Sequence, residues 1–439
     1  MQFAGRRTDL DLNPIGEAVN IYVKLNTDTL PAPQAIAVNR ITPQMTQEGL
    51  SEDEFCKYIL EEVFTPNTIS VGFNSVRFDN EMLRFTFWRN FQDAYEWEWK
   101  DGRSRWDLLD VARMTRALRP KGIEWPFNED GRPNNKLENL TRVNKISHED
   151  AHDAMCDVEA SIALARLLKT KQPELFNWLF SIRSKNAVAA KVNLENAKAF
   201  VYSNGRYDAE FLNTSVAIPV AVGKNKNEIL VYDLRYDITE KMAQLEASEQ
   251  SSADDENTHF RSPIKTLKLN RCPAIAPLGV LEEGGAWERI KLSQTVVEQH
   301  LRVLQEHKAD LQKLIEAYNQ RDFTQDDKVA AEEKLYDSFL SDYDKNLCRV
   351  VQKADAYQLA AFQPEFHDER LNDLYIGYKG RNFPDSLNEE EYKKYEKYRQ
   401  KRLEGQAEEF KRGLESIAKD EKNAFIVKEL ELWAQNVAQ

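Results

Sequence analysis

The chain has 439 residues, 30% of them charged and 41% hydrophobic, more than a single hydrophobic core usually organises, so two or three domains are expected. No apolar stretch approaches the ~20 residues that cross a bilayer, and the start, Met1-Gln-Phe-Ala-Gly-Arg-Arg, has no apolar segment behind its arginines and does not read as a signal peptide. Four widely spaced cysteines (Cys56, Cys156, Cys272, Cys348) exclude a zinc knuckle or a disulfide framework, so a soluble protein of the reducing cytoplasm is expected, with no membrane role.

A net charge of −13 argues on its face against a nucleic-acid partner, because phosphate affinity comes from Lys and Arg. The average hides a segregated stretch. Arg77, Arg84, Arg89, Arg103, Arg105, Arg113, Arg116 and Arg119 interleave with Phe78, Phe85, Phe87, Trp88, Phe91, Tyr95, Trp97, Trp99 and Trp106. Cations for a backbone and aromatic faces for stacked bases are what a single-strand groove requires. About half of these aromatics are expected in the core instead.

From Phe3 to about Leu168 strands alternate with helices, as in Ile69-Ser-Val-Gly-Phe73 followed by a helical run from Asn80 toward Asn90. That texture predicts an α/β domain. A long helix follows Asp153, with apolar residues at helical spacing to Leu168 and a stop near Pro173. Strand-like pieces at 199–202, 215–222 and 229–233, separated by Asn, Gly and Lys turns, predict a small β domain. Residues 248–259 are polar and acidic and read as a mobile loop. Beyond about Asp327 the chain is rich in Glu and Lys and helical, including 387–414 and 421–437; such charged faces are usually solvated and carry no catalytic weight.

Two constellations carry chemistry. In Gly72-Phe-Asn-Ser-Val-Arg-Phe-Asp79-Asn-Glu81 a strand ends in a polar turn and a helix begins, with Asp79 at the junction. Taken alone, an acid there is most often an N-cap. In Ala151-His152-Asp153-Ala154-Met155-Cys156-Asp157, Asp153 as the N-cap leaves His152 outside the helix and Asp157 on its first turn, so the two can converge on one site. The bland alternative is a helix start enriched in acids by the macrodipole.

Strand-turn-Phe-Asp and His-x-x-x-x-Asp, in this order, resemble the last three positions of the DEDDh exonucleases. Ser104-Arg-Trp-Asp-Leu-Leu-Asp-Val-Ala-Arg113, Ala117-Leu-Arg-Pro-Lys-Gly-Ile-Glu-Trp-Pro126, Lys136-Leu-Glu-Asn-Leu140 and Gly380-Arg-Asn-Phe-Pro384 resemble the bacterial exonuclease I family in particular. The resemblance covers essentially the whole chain. It implies a ribonuclease H-like α/β exonuclease domain over 1–172, an SH3-like β domain over 173–326 and a C-terminal α-helical domain over 327–439. It implies 3′→5′ degradation of single-stranded DNA in repair and recombination, with two Mg²⁺ ions held by carboxylates. Asp157 would be a direct ligand, Asp79 would act near or through water, and His152 would be the general base. Arg84, Tyr95, Trp99, Arg113, Lys136 and Lys185 would line the strand path, with Asn227 and Lys265 contributing from the β domain. The same resemblance implies a monomer that binds the acidic C-terminal tail of single-strand DNA-binding protein.

The family's first motif, an Asp-x-Glu on the first strand, is not found in this sequence; Asp9-Leu-Asp11 lies where the turn after the family's second strand is expected, so both acids are read as turn residues. A polypeptide starting at Met1 is therefore expected to lack that strand and to show little Mg²⁺-dependent nuclease activity. The alternative is a single-stranded-DNA-binding relative with impaired catalysis.

Overall fold

A computed structural model describes residues 1–147, 153–250, 261–320 and 330–438. In the N-terminal domain β1 (Gln2–Gly5) pairs antiparallel with β2 (Val19–Tyr22), and β3 (Ile69–Gly72) pairs parallel with β4 (Ser104–Asp107). These described strands form two separate pairs. Arg7 ties them together: its guanidinium donates to the Val63 carbonyl at 2.9 Å and to Thr68 Oγ1 at 3.3 Å, just before β3.

Helices α1 (Pro33–Asn39) and α2 (Glu52–Tyr58) follow β2, and α3 (Asp79–Arg89) follows β3. Ser51 opens α2 with a reciprocal cap: its Oγ accepts from Glu54 N, and Glu54 Oε2 accepts from Ser51 N. α4 (Leu108–Leu118) leaves β4, with Leu108, Val111, Ala112, Thr115 and Leu118 on its buried side, the 3.6-residue pattern of an amphipathic helix. α5 (Leu137–Val143) and the long α6 (Ala154–Lys171) come next, then α7 (Pro173–Ser181) and α8 (Lys185–Ala189).

Pro173 does end α6, but it also opens α7 as its first residue, where a missing N–H costs nothing. α7 turns Phe176 and Phe180 edge-on to Trp106 at 5.0 and 5.2 Å. Its Trp178 Nε1 donates to the Ile275 carbonyl of the β domain at 2.8 Å, so α7 bridges the two domains.

The β domain is a five-stranded antiparallel sheet in the order β8-β7-β6-β5-β9, built from β5 (Phe200–Ser203), β6 (Thr214–Val222), β7 (Glu228–Asp233), β8 (Ile264–Lys268) and β9 (Ala274–Pro277). Pro219 sits in β6 at a register shift, beyond the stretch that pairs with β5, so its missing N–H breaks no ladder. The helix α9 (Ile238–Gln250) runs into the segment read as a loop, of which 251–259 lie outside the described residues. α10 (Ala286–Arg289), α11 (Gln294–Glu306) and α12 (Lys308–Gln320) complete this region. One hydrophobic core runs from Trp106, Val111 and Leu164 through Phe176 to Val201, Val216, Tyr232 and Leu267.

The C-terminal domain holds α13 (Asp342–Lys353), α14 (Ala356–Ala361), α15 (Glu369–Asn382), α16 (Glu389–Ile417) and α17 (Ala424–Val437). It grips α3 from the far side, since Trp88 and Phe91 share a core with Val351, Leu374 and Tyr378. Trp433 Nε1 donates to the Thr29 carbonyl at 2.9 Å, fastening α17 to the N-terminal domain.

Candidate active site

The candidate site is built on the turn that follows β3 and on the first turn of α6. β3 ends at Gly72, where a Cβ would fall 2.6 Å from that of Ser75, so only glycine lets the chain fold back this tightly. Asn74 takes a left-handed conformation at φ 63°. The turn is stapled by Asp107, whose carboxylate accepts from Asn74 N at 2.9 Å, Val76 N at 3.0 Å and, as the cap of α4, Leu109 N at 2.9 Å. Burial pushes the Asp107 carboxyl above its ordinary pKa, although these three N–H groups oppose it.

Asp79 is the first helical residue of α3 and not its N-cap; the cap position is Phe78, without a side-chain bond, and among the described residues the Asp79 carboxylate accepts only from its own N–H. The commoner role of an acid at a helix start is therefore not the one it plays. Asp79 is open to solvent on one side, yet enough protein surrounds it that desolvation raises its pKa, helped by the negative charges of Asp107 and Asp157.

Asp157 reaches this place from the first turn of α6. Asp153 caps that helix as expected, accepting from Met155 N at 3.0 Å and Cys156 N at 3.2 Å. β1 fixes the same turn: Gln2 Nε2 donates to Asp153 Oδ2 at 3.2 Å, and Gln2 Oε1 accepts from Ala154 N at 3.3 Å. Asp157 thus lies near enough to Asp79 for its charge to raise that carboxyl's pKa. His152 lies outside the described residues.

Asp9 and Asp11 occupy a turn, as read from the sequence. Asp9 accepts from the N–H groups of Asp11 and Asn13 at 2.9 and 2.8 Å, and Asp11 pairs with Lys169 at 2.8 Å. Among the described residues no three His, Cys, Asp or Glu side chains gather to hold a metal. Asp79 and Asp157 are two hard oxygen donors that repel each other, a pair whose chemistry suits a divalent cation such as Mg²⁺. A metal held there would draw its other oxygens from water, a phosphate or groups outside the described residues.

The strand-path residues are placed unequally. Trp99 is 63% exposed between two short turns, and Lys136 is exposed at the start of α5. Arg113 pairs with Asp110 at 2.6 Å and packs on Gly205 of the β domain, where a Cβ would meet its guanidinium at 3.1 Å. Lys185 begins α8, half-buried. Asn227 sits in the β6–β7 turn, and Lys265 on β8 donates to the Ser262 carbonyl at 2.9 Å. Tyr95 lies under the Arg84 guanidinium, 5.4 Å from the ring centre.

Arg84 itself departs from expectation. It is 4% exposed, and its guanidinium forks onto Glu98 with two bonds of 2.8 Å and reaches Glu81 at 3.0 Å. Its charge is spent inside the protein rather than on a groove, because a buried guanidinium needs carboxylates around it. Of the nine interleaved aromatics, Phe87, Trp88, Phe91, Trp97 and Trp106 are core.

A cavity of about 300 Å³ opens from the turn before Asp79 into the junction with the β domain. Arg77, Arg206, Lys268 and Arg271 give it cations, none of which the sequence marked as a site residue beyond Arg77's place in the basic stretch. Their sheet neighbours are distant in sequence, so no local spacing announces them.

Two acids at helix starts, one near enough to raise the pKa of the other, beside a junction of α/β and β domains that bears several cations, fit a nuclease acting on a phosphate backbone. Residues 1–165 match the family model for an exonuclease, 183–320 that for the Exonuclease I SH3-like domain and 329–437 that for the Exonuclease I C-terminal domain. The exodeoxyribonuclease I of Haemophilus influenzae is 39% identical over 427 residues, covering 95% of this chain and 89% of that protein. The chain belongs to the exodeoxyribonuclease I family. The crystal structure of Escherichia coli exonuclease I in complex with a dA16 oligonucleotide is similar at a TM-score of 0.90 and 34% identity, covering 99% of this chain and 95% of that one. A zinc-bound form of the Escherichia coli enzyme with single-stranded DNA gives 0.89 at the same identity, covering 100% and 95%.

Proposed function

We propose that the protein degrades single-stranded DNA from its 3′ end to nucleotides, acting as a monomer in the cytoplasm in DNA repair and recombination. The observation that carries this reading is that Asp157 lies near enough for its charge to raise the Asp79 carboxyl, while the turn before Asp79 opens into a cavity bearing Arg77, Arg206, Lys268 and Arg271. Trp99 offers an exposed ring for a base, and Arg77, Arg113 and Lys136 offer charge for phosphates. The related Escherichia coli structures, which hold oligonucleotides and in one case zinc, support a single strand and a divalent ion here.

Asp79 and Asp157 would hold two Mg²⁺ ions, which when bound polarise the scissile phosphate and lower the pKa of a water. The residues of the chain then have separate tasks. Asp107 fixes the turn that delivers Asp79; Asp153 and Gln2 fix the turn that delivers Asp157. His152, immediately before the cap of α6, takes the proton of the attacking water.

The gathering of only two candidate ligands among the described residues favours a second reading, a DNA-binding relative with impaired catalysis. A 5′-labelled oligonucleotide separates the two. Shortening from the 3′ end with Mg²⁺ supports the enzyme; tight binding without shortening supports the alternative. A partner reading joins the proposal: an acidic peptide matching the tail of single-strand DNA-binding protein binds with salt-sensitive affinity, and absence of binding in fluorescence anisotropy refutes that part.

A further inference from the structure

The first turn of α3 has no side-chain cap, so something other than its own end must hold Asp79 in place. Asp107 holds the turn before it. The turn after it is held by Glu81, and here all three domains meet. Arg271, between β8 and β9, donates to Glu81 Oε1 at 2.8 Å. Tyr336, before α13 in the C-terminal domain, donates its hydroxyl to Glu81 Oε2. Arg84 donates to both, reaching Glu81 Oε1 at 3.0 Å and the Tyr336 hydroxyl at 3.1 Å. Behind it Glu98 takes Arg84 and also Arg105 at 2.6 Å, and Arg105 reaches the Asn270 carbonyl at 2.7 Å, next to Arg271.

We infer that Glu81 is a positioning residue through which the SH3-like and C-terminal domains set the placement of Asp79. Both oxygens of one carboxylate are taken by groups from different domains, two residues beyond Asp79 on the same helical turn. Charge-assisted bonds of this kind are short and directional. A shift of either outer domain is passed to the start of α3, because the helix turn is stiff and Glu81 has no slack. This deepens the reading of Asp79 as a metal ligand and rests on it.

The test is Mn²⁺ binding to the full-length protein, followed by electron paramagnetic resonance, for wild type, Arg271→Met, Tyr336→Phe and Asp79→Asn. Arg271→Met discriminates cleanly. If only long-range charge mattered, removing a cation would tighten Mn²⁺ binding; if Glu81 positions Asp79, removing its partner weakens it. Tyr336→Phe changes no charge and deletes one hydroxyl, a mild change that the fold tolerates. The inference expects both variants to weaken Mn²⁺ binding by roughly three-fold or more, with Arg271→Lys restoring most of the loss. Unchanged or tighter binding in both, with Asp79→Asn weakened, overturns the inference and leaves the metal reading standing. Unchanged binding in Asp79→Asn overturns both.

Discussion

Glu52→Gln tests how α3 is anchored. Glu52 opens α2 at 7% exposure, and its carboxylate accepts from Arg89 at 2.7 and 2.5 Å and from Asn90 Nδ2 at 3.0 Å, welding α2 to the end of α3. Burial alone would raise its pKa. The charge and hydrogen bonds of Arg89 overcome that and bring it from 4.5 down to about 2. A carboxyl depressed in the folded state contributes stability that is full above its unfolded pKa and is lost as the pH falls through the folded one. The displacement corresponds to about 3 kcal/mol, present at neutral pH, eroded below about pH 4.5 and gone near pH 2. Glutamine leaves Arg89 without its closest counter-charge, which costs a similar amount. Urea unfolding of both proteins from about pH 7 to pH 2 should give a gap of about 3 kcal/mol that closes toward the acid end. A gap below about 1 kcal/mol at neutral pH, or one that stays constant with pH, refutes the reasoning.

Asp107→Asn keeps the shape but weakens three accepted backbone bonds; it should cost about 1–3 kcal/mol in chemical unfolding and slow strand degradation, since the turn before Asp79 loosens. Trp99→Ala should leave the unfolding midpoint unchanged and weaken single-strand affinity by about 1–3 kcal/mol in anisotropy titrations, as expected of an exposed stacking ring. His152→Ala should cut turnover by roughly 10²–10⁴ while DNA affinity holds, and turnover within a few-fold of wild type would remove it as the base.

Much of the architecture was legible because its signals are local. Asp153 before an apolar helix announced the cap it makes, and the strand-turn-helix around Gly72 and Asp79 is where the sequence placed it. The alternating pieces near 200, 216 and 230 became β5, β6 and β7. The remainder depends on partners far apart in the chain. Arg84 reads as a free cation until Glu98 folds over it, and Arg271 acquires meaning only when the β domain brings it to Glu81. Strands β8 and β9 carry no clean alternation, Lys265 and Lys268 interrupting the first and Pro277 ending the second, so pairing rather than pattern defines them. Asp107 looked like one residue of a motif; its three backbone bonds show that it also holds the turn before Asp79.

The central claim is that Asp79 and Asp157 act together on the 3′ end of a single strand. The most direct measurement follows a 5′-labelled single-stranded oligonucleotide with Mg²⁺, using the full-length protein, Asp79→Asn, Asp157→Asn and the double variant, with circular dichroism confirming that each is folded. The account predicts stepwise shortening by the wild type. Each single variant should fall by at least about 10²-fold, and the double variant little further, because residues acting as one unit are not additive. Shortening by the folded double variant at the wild-type rate would contradict it.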